Sequence, residues 1–180
     1  ISSPNTEGLR DFHDQEKLQD LLFSLNKIKE ENKTDIPLLL KVSPDIKDNC
    51  VPEIVDVAIK NDISGIILTN TTNSNRDNLA SEIKKEEGGL SGEPIQQIST
   101  NMIKKFYKKL NGKIPIIGVG GINSGKSAYE KIIAGASLLQ LYTGFIYRGP
   151  SVAKDIKKEL IQILKAEGIK NIKDVIGQGI

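Results

Sequence analysis

The sequence predicts an α/β fold in which helices cover a parallel sheet, and three observations support this. Four continuous apolar runs alternate with helix-like segments along the 180 residues. The runs are short and lack polar alternation, which is typical of strands in a parallel sheet. A polar cluster follows each run, in the stretches KVSPD (41–45), LTNTT (68–72), GVGGINSG (118–125) and LYTGF (141–145).

These polar clusters also distinguish between the two architectures that the alternation allows. An open doubly wound sheet concentrates its site at one switch point, whereas a barrel collects the ends of all its strands at one face. Clusters after every strand therefore favour a (β/α)8 TIM barrel. Four strand–helix units account for about half of such a barrel.

The N-terminal half of the chain contains two of the predicted strands. Leucine and isoleucine recur at helical spacing from Gln15 to Lys33, which predicts the first helix. The run PLLLKV (37–42) predicts a strand that is buried on both faces. A helix over residues 48–61 then leads into a second buried strand, GIILT (65–69).

The C-terminal half begins with a long polar loop. Residues 70–95 show neither helical nor strand periodicity, and a loop of this length is usually functional or disordered. The remaining predicted elements are a helix at 98–110, a strand at 114–119, a helix at 125–134, a strand at 137–142, a helix at 151–166 and a short helix at 171–176.

Composition argues against several classes of function. The net charge is +2 with lysine and glutamate interspersed, so no nucleic-acid partner is predicted. The basic run KKFYKK (104–109) is typical of a solvated helix face with one buried edge. The single cysteine, Cys50, cannot form an intrachain disulfide, and with one histidine, His13, neither a zinc site nor a Ser-His-Asp triad is expected.

The start of the chain gives a further expectation. The sequence opens with ISSPNT instead of Met, and Ile1 resembles the tail of a strand, so we expect a processed or truncated polypeptide. No secretory signal is visible there, and no apolar run approaches the roughly 18–20 residues of a membrane span.

The stretch GGINSGKS (120–127) matches the P-loop pattern of nucleotide triphosphatases. A P-loop enzyme also needs a magnesium-binding acid at the end of another strand, and the strand ends here are Lys41, Asn70 and Thr143. In a barrel, the same glycines can hold a phosphate with backbone N–H groups. We therefore expect Gly120 and Gly121 to form a phosphate cradle and Lys126 to be an exposed lysine.

Taken together, the motifs resemble the class 2 dihydroorotate dehydrogenases, the FMN-dependent, quinone-reducing enzymes of pyrimidine biosynthesis. Six segments in order carry the resemblance, which runs almost the length of the chain. They are SSPNTEGLR (2–10), LLLKVSPD (38–45), GIILTNTT (65–72), GGLSGEPI (88–95), IPIIGVGGINSG (114–125) and AGASLLQLYTGFIYRGP (134–150).

The resemblance implies a barrel around FMN in which orotate stacks on the flavin. Residues 1–180 would supply the C-terminal part of this single FMN-binding domain, from the end of strand 4 to strand 8 and the final helices. The N-terminal half, including the family's segment for quinone entry and peripheral association with the bacterial or mitochondrial inner membrane, is expected outside this sequence. The loop at 70–95 would lie over the substrate as a lid.

The resemblance also implies roles for substrate-side residues. Ser3 matches the base that takes the C5 proton of dihydroorotate, and Thr6 matches the residue that assists its relay. Asn5, Asn70 and Thr71 match the contacts to orotate, whose carbonyl and N–H edges suit amides that donate and accept. Each of these residues is also common in turns and caps, which is the structural alternative.

On the cofactor side, the resemblance places Lys41 against the flavin ring, where an unpaired ammonium in a buried strand would otherwise be costly. The remaining FMN positions are Thr69, Gly92, Gly120, Gly121, Tyr142 and Thr143. Two alternatives stay open: another FMN- or phosphate-binding barrel enzyme, and an inactive or cofactor-free fragment of such a barrel.

Overall fold

The computed structural model describes residues 1–74, 76–77, 79–80 and 82–180. Four parallel strands form one sheet, and their order in the sheet is their order in the chain. The strands are β1 (Leu39–Val42), β2 (Gly65–Leu68), β3 (Ile116–Val119) and β4 (Leu138–Gln140). Sequential parallel order is that of a barrel wall, because an open doubly wound sheet reverses its strand order at the switch point.

Helices follow the strands as predicted, with boundaries shifted by a few residues. They are α1 (Gln15–Glu31), α2 (Cys50–Lys60), α3 (Gln96–Leu110), α4 (Gly125–Ile133), α5 (Thr143–Arg148) and α6 (Val152–Ala166). Short 3-10 helices lie at Leu9–His13, Glu82–Lys85, Glu93–Ile95 and Ile172–Val175. None of the described helices is long and apolar enough to cross a membrane.

Local sequence explains where two of these helices begin. The Asp14 carboxylate accepts the backbone N–H groups of Glu16 and Lys17, both at 3.1 Å, so α1 begins after an N-cap. Ser124 and Ser127 form a reciprocal capping box at the start of α4. The α5 helix was not predicted, because it has only six residues and its apolar side chains form no buried stripe.

One face of the sheet packs against the helices and forms the main core. Strand residues on this face, such as Val42, Ile66 and Leu68, are fully buried beneath α2 and α3. Phe106, from the basic run on α3, is also fully buried, which confirms the predicted buried edge of that helix. A smaller core joins α4, α6 and the last 3-10 helix through Ile122, Ala128, Ile132, Val152, Ile156, Leu160 and Val175.

The opposite face of the sheet is open in this chain. The Leu39 side chain on β1 is 48% exposed and that of Leu138 on β4 is 62% exposed. Lys41, on the same face of β1, is partly exposed. The prediction that β1 is buried on both faces is therefore wrong for this chain, because the described residues pack helices against only one of its faces.

The polar loop after β2 is closed at its base by a short antiparallel bridge. The backbone groups of Thr72 and Leu90 exchange two hydrogen bonds, of 3.1 and 2.7 Å. Residues 75, 78 and 81 of the predicted lid lie outside the described residues. The two ends of the lid are thus held together next to the carboxyl end of β2.

Candidate functional site

A cavity of about 1050 Å³ lies at the carboxyl ends of the four strands. Nine of the twelve residues that the sequence singled out line it. They are Lys41, Thr69, Asn70, Thr71, Gly92, Gly120, Gly121, Tyr142 and Thr143. The structure therefore brings together residues from the ends of all four strands and from the C-terminal stem of the lid.

The glycine pair after β3 lies against the first turn of α3. Gly121 has a φ of 72°, and a Cβ atom built on it would lie 2.4 Å from Cβ and 2.6 Å from Cα of Gln96. A side chain at this position would be strained and would also collide with backbone. From the sequence we expected glycine here so that the backbone could approach a phosphate. The structure gives a separate reason, which is the close packing of the loop on α3.

The wall facing this loop is formed by the start of α5 and the lid stem. A Cβ atom on Gly144 would lie 2.4 Å from the carbonyl oxygen of Ile122, so the start of α5 is also in backbone contact with the glycine loop. The Thr143 hydroxyl donates to Ser91 Oγ at 2.9 Å. Tyr142 is 77% exposed, so its ring is not part of the described core.

The geometry at the start of α4 contradicts the P-loop alternative. The Glu159 carboxylate of α6 accepts the backbone N–H of Gly125, so an acid occupies the helix terminus where a P-loop would bind phosphate. Ser127 is buried and serves the capping box instead of facing a ligand. Lys126 is exposed and does not line the cavity, as the barrel interpretation predicts.

The end of β2 is fixed by hydrogen bonds around Asn70. Its side-chain Nδ2 donates to Ser2 Oγ at 2.9 Å, and its Oδ1 accepts the backbone N–H of Thr71 at 2.7 Å. Thr69 is buried and donates its hydroxyl to the Asn70 carbonyl at 3.0 Å. Each polar atom of the Asn70 amide has one partner, which leaves one N–H and one lone pair available to a ligand.

The three predicted site residues of the N-terminal segment do not line this cavity. Ser3 Oγ accepts the backbone N–H of Asn5 at 3.2 Å. Asn5 lines a second cavity, of about 860 Å³, formed with Arg76 and other residues of the lid. Thr6 is exposed. The bond from Asn70 to Ser2 ties this segment to the carboxyl end of β2.

Asp45, which was not predicted as a site residue, is a carboxylate that joins three segments. Asp45 binds Arg10 Nη2 at 2.9 Å, accepts the backbone N–H of Asn73 at 3.1 Å, and accepts the Thr72 hydroxyl. It therefore connects the N-terminal segment, the end of β1 and the base of the lid. The only sequence signal was its place directly after Pro44, beyond the strand.

The side chains with shifted pKa values in the described part of the chain lie outside the cavity. Burial, together with the positive charges of the N-terminus and Arg10, lowers the pKa of His13 to about 4. A hydrogen bond to Glu167 raises the pKa of Tyr129 to about 12. Burial lowers the pKa of Lys131 to about 7, against a smaller opposing effect of Glu130.

The donor set of the cavity suits a long ligand that carries a phosphate. Close-packed glycine backbone follows β3, an amide and hydroxyls follow β2, and a lysine lies on β1. A volume of about 1050 Å³ is at the upper end for small-molecule and cofactor sites. The residues present thus fit a flavin mononucleotide.

Comparisons with known proteins agree with this geometry. The family model for dihydroorotate dehydrogenase matches residues 1–164. A protein of Christiangramia forsetii named dihydroorotate dehydrogenase (quinone) is 49% identical over 90% of this chain and 47% of its own length. The mitochondrial protein of that name from Arabidopsis thaliana is 42% identical over 98% of this chain and 40% of its own length.

Solved structures extend the comparison to three dimensions. The crystal structure of the dihydroorotate dehydrogenase of Eimeria tenella in complex with ferulenol superposes with a TM-score of 0.92 at 39% identity, covering 98% of this chain and 52% of that one. The ligand-free form of that enzyme gives the same score. The prediction of a partial barrel is confirmed, and the chain spans about half the length of the curated relatives it matches.

Proposed function

The chain belongs to the dihydroorotate dehydrogenase family, and from that premise we propose that it is the C-terminal part of a single FMN-binding barrel. The complete barrel would oxidise dihydroorotate to orotate, with a quinone as final electron acceptor, in pyrimidine biosynthesis. Family membership itself implies a flavin cofactor. The observation that carries the proposal is that the pyrimidine-side pair Asn70–Thr71 and the phosphate-side pair Gly120–Gly121 line one cavity.

Residues of this chain would hold FMN along the cavity. Gly121, Tyr142 and Thr143 would receive the phosphate with backbone groups, Gly120 would let the backbone approach it, and Gly92 would complete the FMN contacts. Thr69 and Lys41 would contact the ring system, where the lysine supplies a positive charge beside it. When bound, FMN would supply the two-electron acceptor for the hydride that leaves C6 of dihydroorotate.

Asn70 and Thr71 would orient the pyrimidine. The Asn70 amide is fixed at both polar atoms by Ser2 and by the Thr71 backbone, so its remaining donor and acceptor have a set direction. A pyrimidine edge that offers a carbonyl beside an N–H matches such an amide. Asn5 would contribute a second amide from the N-terminal segment.

Ser3 would take the proton from C5. A serine hydroxyl is a weak base, so it needs an acceptor for its own proton, and Thr6 would serve that relay. Ser3 Oγ accepts the backbone N–H of Asn5, which occupies one of its two lone pairs and leaves the other available. The lid at residues 70–95 would lie over the substrate and exclude water.

The quinone and the membrane belong to the same proposal. Relatives at 40–49% identity carry the name dihydroorotate dehydrogenase (quinone), and one of them is named mitochondrial. Quinones are apolar, and we propose that the complete enzyme associates peripherally with the bacterial or mitochondrial inner membrane to reach them. The proposed site for this association is the family's N-terminal segment.

The test is an assay of the purified holoenzyme with dihydroorotate and different electron acceptors. We expect a flavin absorbance spectrum, FMN on extraction, and orotate production that depends on a quinone. A protein that retains no flavin and binds no orotate would contradict the assignment. Turnover with NAD or fumarate but not with quinone would leave the oxidation intact and refute the proposed acceptor.

A further inference from the structure

Lys131 on α4 is a buried cation that the proposed mechanism does not use. Its side chain is 0% exposed, and the ion pairs found in the described part of the chain do not include it. Its Nζ donates to the backbone carbonyl of Gln96 and to Thr100 Oγ1, both at 2.7 Å. Burial of an amine costs free energy unless the amine is hydrogen-bonded, so the Gln96 carbonyl and the Thr100 hydroxyl are the groups that Lys131 holds.

Both acceptors lie within the first five residues of α3, which pack behind the glycine loop of the cavity. Gln96 is the residue whose Cα and Cβ lie against Gly121. The Gln96 side chain in turn donates to the Glu130 carboxylate at 2.7 Å. Two neighbouring residues of α4, Glu130 and Lys131, thus hold the side chain and the backbone of the same residue.

Ser99 provides a second contact between the start of α3 and the glycine loop. Ser99 donates its hydroxyl to the Val119 carbonyl, and its Cβ would lie 3.1 Å from a Cβ placed on Gly120. The start of α3 therefore forms the rear wall of both glycines. A shift of the start of α3 by about an ångström would move the glycine loop toward or away from the cavity, because the two segments are closely packed.

We propose that Lys131 is a positioning residue for the phosphate cradle, which it holds in place through the Gln96 carbonyl and Thr100. The inference rests on the proposed function, because it takes the ligand of the cradle to be the phosphate monoester of a flavin. Lys131 does not line the cavity and has no contact with the ligand space. It acts from behind, through the wall that Gln96 forms.

The chemistry of the amine suits this role across a range of pH. Burial lowers the pKa of Lys131 to about 7, so both protonation states are accessible near neutrality. Either state keeps the two N–H donors that the geometry uses. Methionine, which has similar length but no donor, would fill the space and abolish both bonds.

The experiment compares FMN with riboflavin, which has the same ring system but no phosphate. The holoenzyme carrying Lys131→Met is stripped of flavin, and dissociation constants for both ligands are measured by fluorescence titration. We expect the Kd for FMN to rise roughly 10- to 100-fold, the loss associated with displaced charge-assisted hydrogen bonds, and the Kd for riboflavin to stay unchanged. Lys126→Met, an exposed lysine on the same helix, should change neither value.

Other outcomes overturn the inference. Equal losses for FMN and riboflavin would mean that Lys131 supports the fold in general, and no loss for either would mean that its bonds do not position the loop. If Lys131→Met does not fold, Thr100→Val, which removes one acceptor, decides by the same comparison. A wild-type enzyme that does not prefer FMN to riboflavin would refute the phosphate assignment itself, whereas failure of the inference alone leaves that preference intact.

Discussion

At the scale of single residues, Gly121 of the glycine loop has no room for a side chain. Gly121 and Gly112 have nearly the same positive φ, 72° and 75°, but only Gly121 is packed against other atoms. Alanine at either position adds backbone strain. Alanine at Gly121 also adds a collision with Gln96. Comparison of the two variants therefore distinguishes the effect of backbone strain from the effect of the collision.

We expect Gly121→Ala to weaken FMN binding by roughly 10- to 100-fold, because the collision displaces backbone donors from the phosphate. Gly112→Ala should lower the free energy of unfolding by about 1 kcal/mol and leave the FMN affinity unchanged. Both are measured by flavin titration and denaturant unfolding. Equal FMN affinities in the two variants would refute a cradle at this loop.

Ser2 and Ser3 are adjacent, and their expected roles differ. Ser3→Ala should keep FMN and orotate binding and lower kcat by roughly 10²- to 10⁴-fold, the scale for a general base. Ser2→Ala removes the partner of Asn70 Nδ2, so it should raise KM for dihydroorotate more than it lowers kcat. Steady-state kinetics distinguish the two, and near-normal turnover of Ser3→Ala would remove it from the mechanism.

Lys131 should also make stability depend on pH. Its pKa is lowered to about 7 in the folded protein, whereas the ordinary value is 10.5, so the unfolded chain binds more protons between these two values. The free energy of unfolding should therefore rise with pH in this window, by up to about 1.4 kcal/mol per pH unit from this group. Below pH 7 the group is protonated in both states and contributes no slope.

The check is denaturant unfolding of wild type and Lys131→Met at pH 7, 8 and 9. The difference in unfolding free energy between the two proteins should change with pH in favour of wild type as pH rises. A constant difference would mean that Lys131 is protonated in both states throughout this range.

At the scale of elements, Asp45 links the lid to the sheet. Its carboxylate holds Thr72 and Asn73 at the first stem of the lid and Arg10 in the N-terminal segment. Asp45→Ala should lower the local opening free energy of the Thr72–Leu90 bridge by about 1–3 kcal/mol, because the buried Thr72 hydroxyl loses its acceptor. Amide hydrogen exchange at these two residues measures it.

Asp48 provides the matched control for this change. It also pairs with a cation, Lys105 at 2.5 Å, but its side chain is largely exposed, and exposed pairs add little. Asp48→Ala should leave exchange at the bridge unchanged. Similar protection of the bridge in both variants would mean that the lid is held by the backbone bridge alone.

The elements themselves show what sequence could and could not predict. Helices with a buried stripe, such as α3, were recognised by periodicity, and the strands by continuous apolar runs. The α5 helix was missed because Phe145, Ile146 and Tyr147 are exposed in the described chain and form no periodic stripe. The strands were predicted one to three residues too long, because the sequence runs continue beyond the hydrogen-bonded ladder.

At the scale of the whole molecule, the strand–helix alternation and the polar strand ends favoured the barrel, whereas the candidate site residues came from the family resemblance, and nine of them line one cavity. The roles of Asp45, Ser2 and Lys131 depend on contacts across 27 to 68 residues of sequence, and periodicity does not report such contacts. Lys131 did follow Ser127 and Ala128 at helical spacing, which marked its position as inward but not its partners.

The open face of the sheet belongs to the same scale. Leu39 and Leu138 lie on the face of the described sheet that is opposite the helices. In a barrel wall this face points toward the barrel interior. This chain matches about half of the Eimeria tenella structures, with a TM-score of 0.92. The match indicates that the sheet keeps the curvature of a barrel wall over its full length.

The most direct test of the account is a crystal structure of the holoenzyme with FMN and orotate bound. The account predicts the FMN phosphate against the backbone of Gly120, Gly121 and Thr143, and orotate hydrogen-bonded to Asn70. A phosphate bound instead at the start of α4 beside Lys126, or orotate bound away from Asn70, would contradict it.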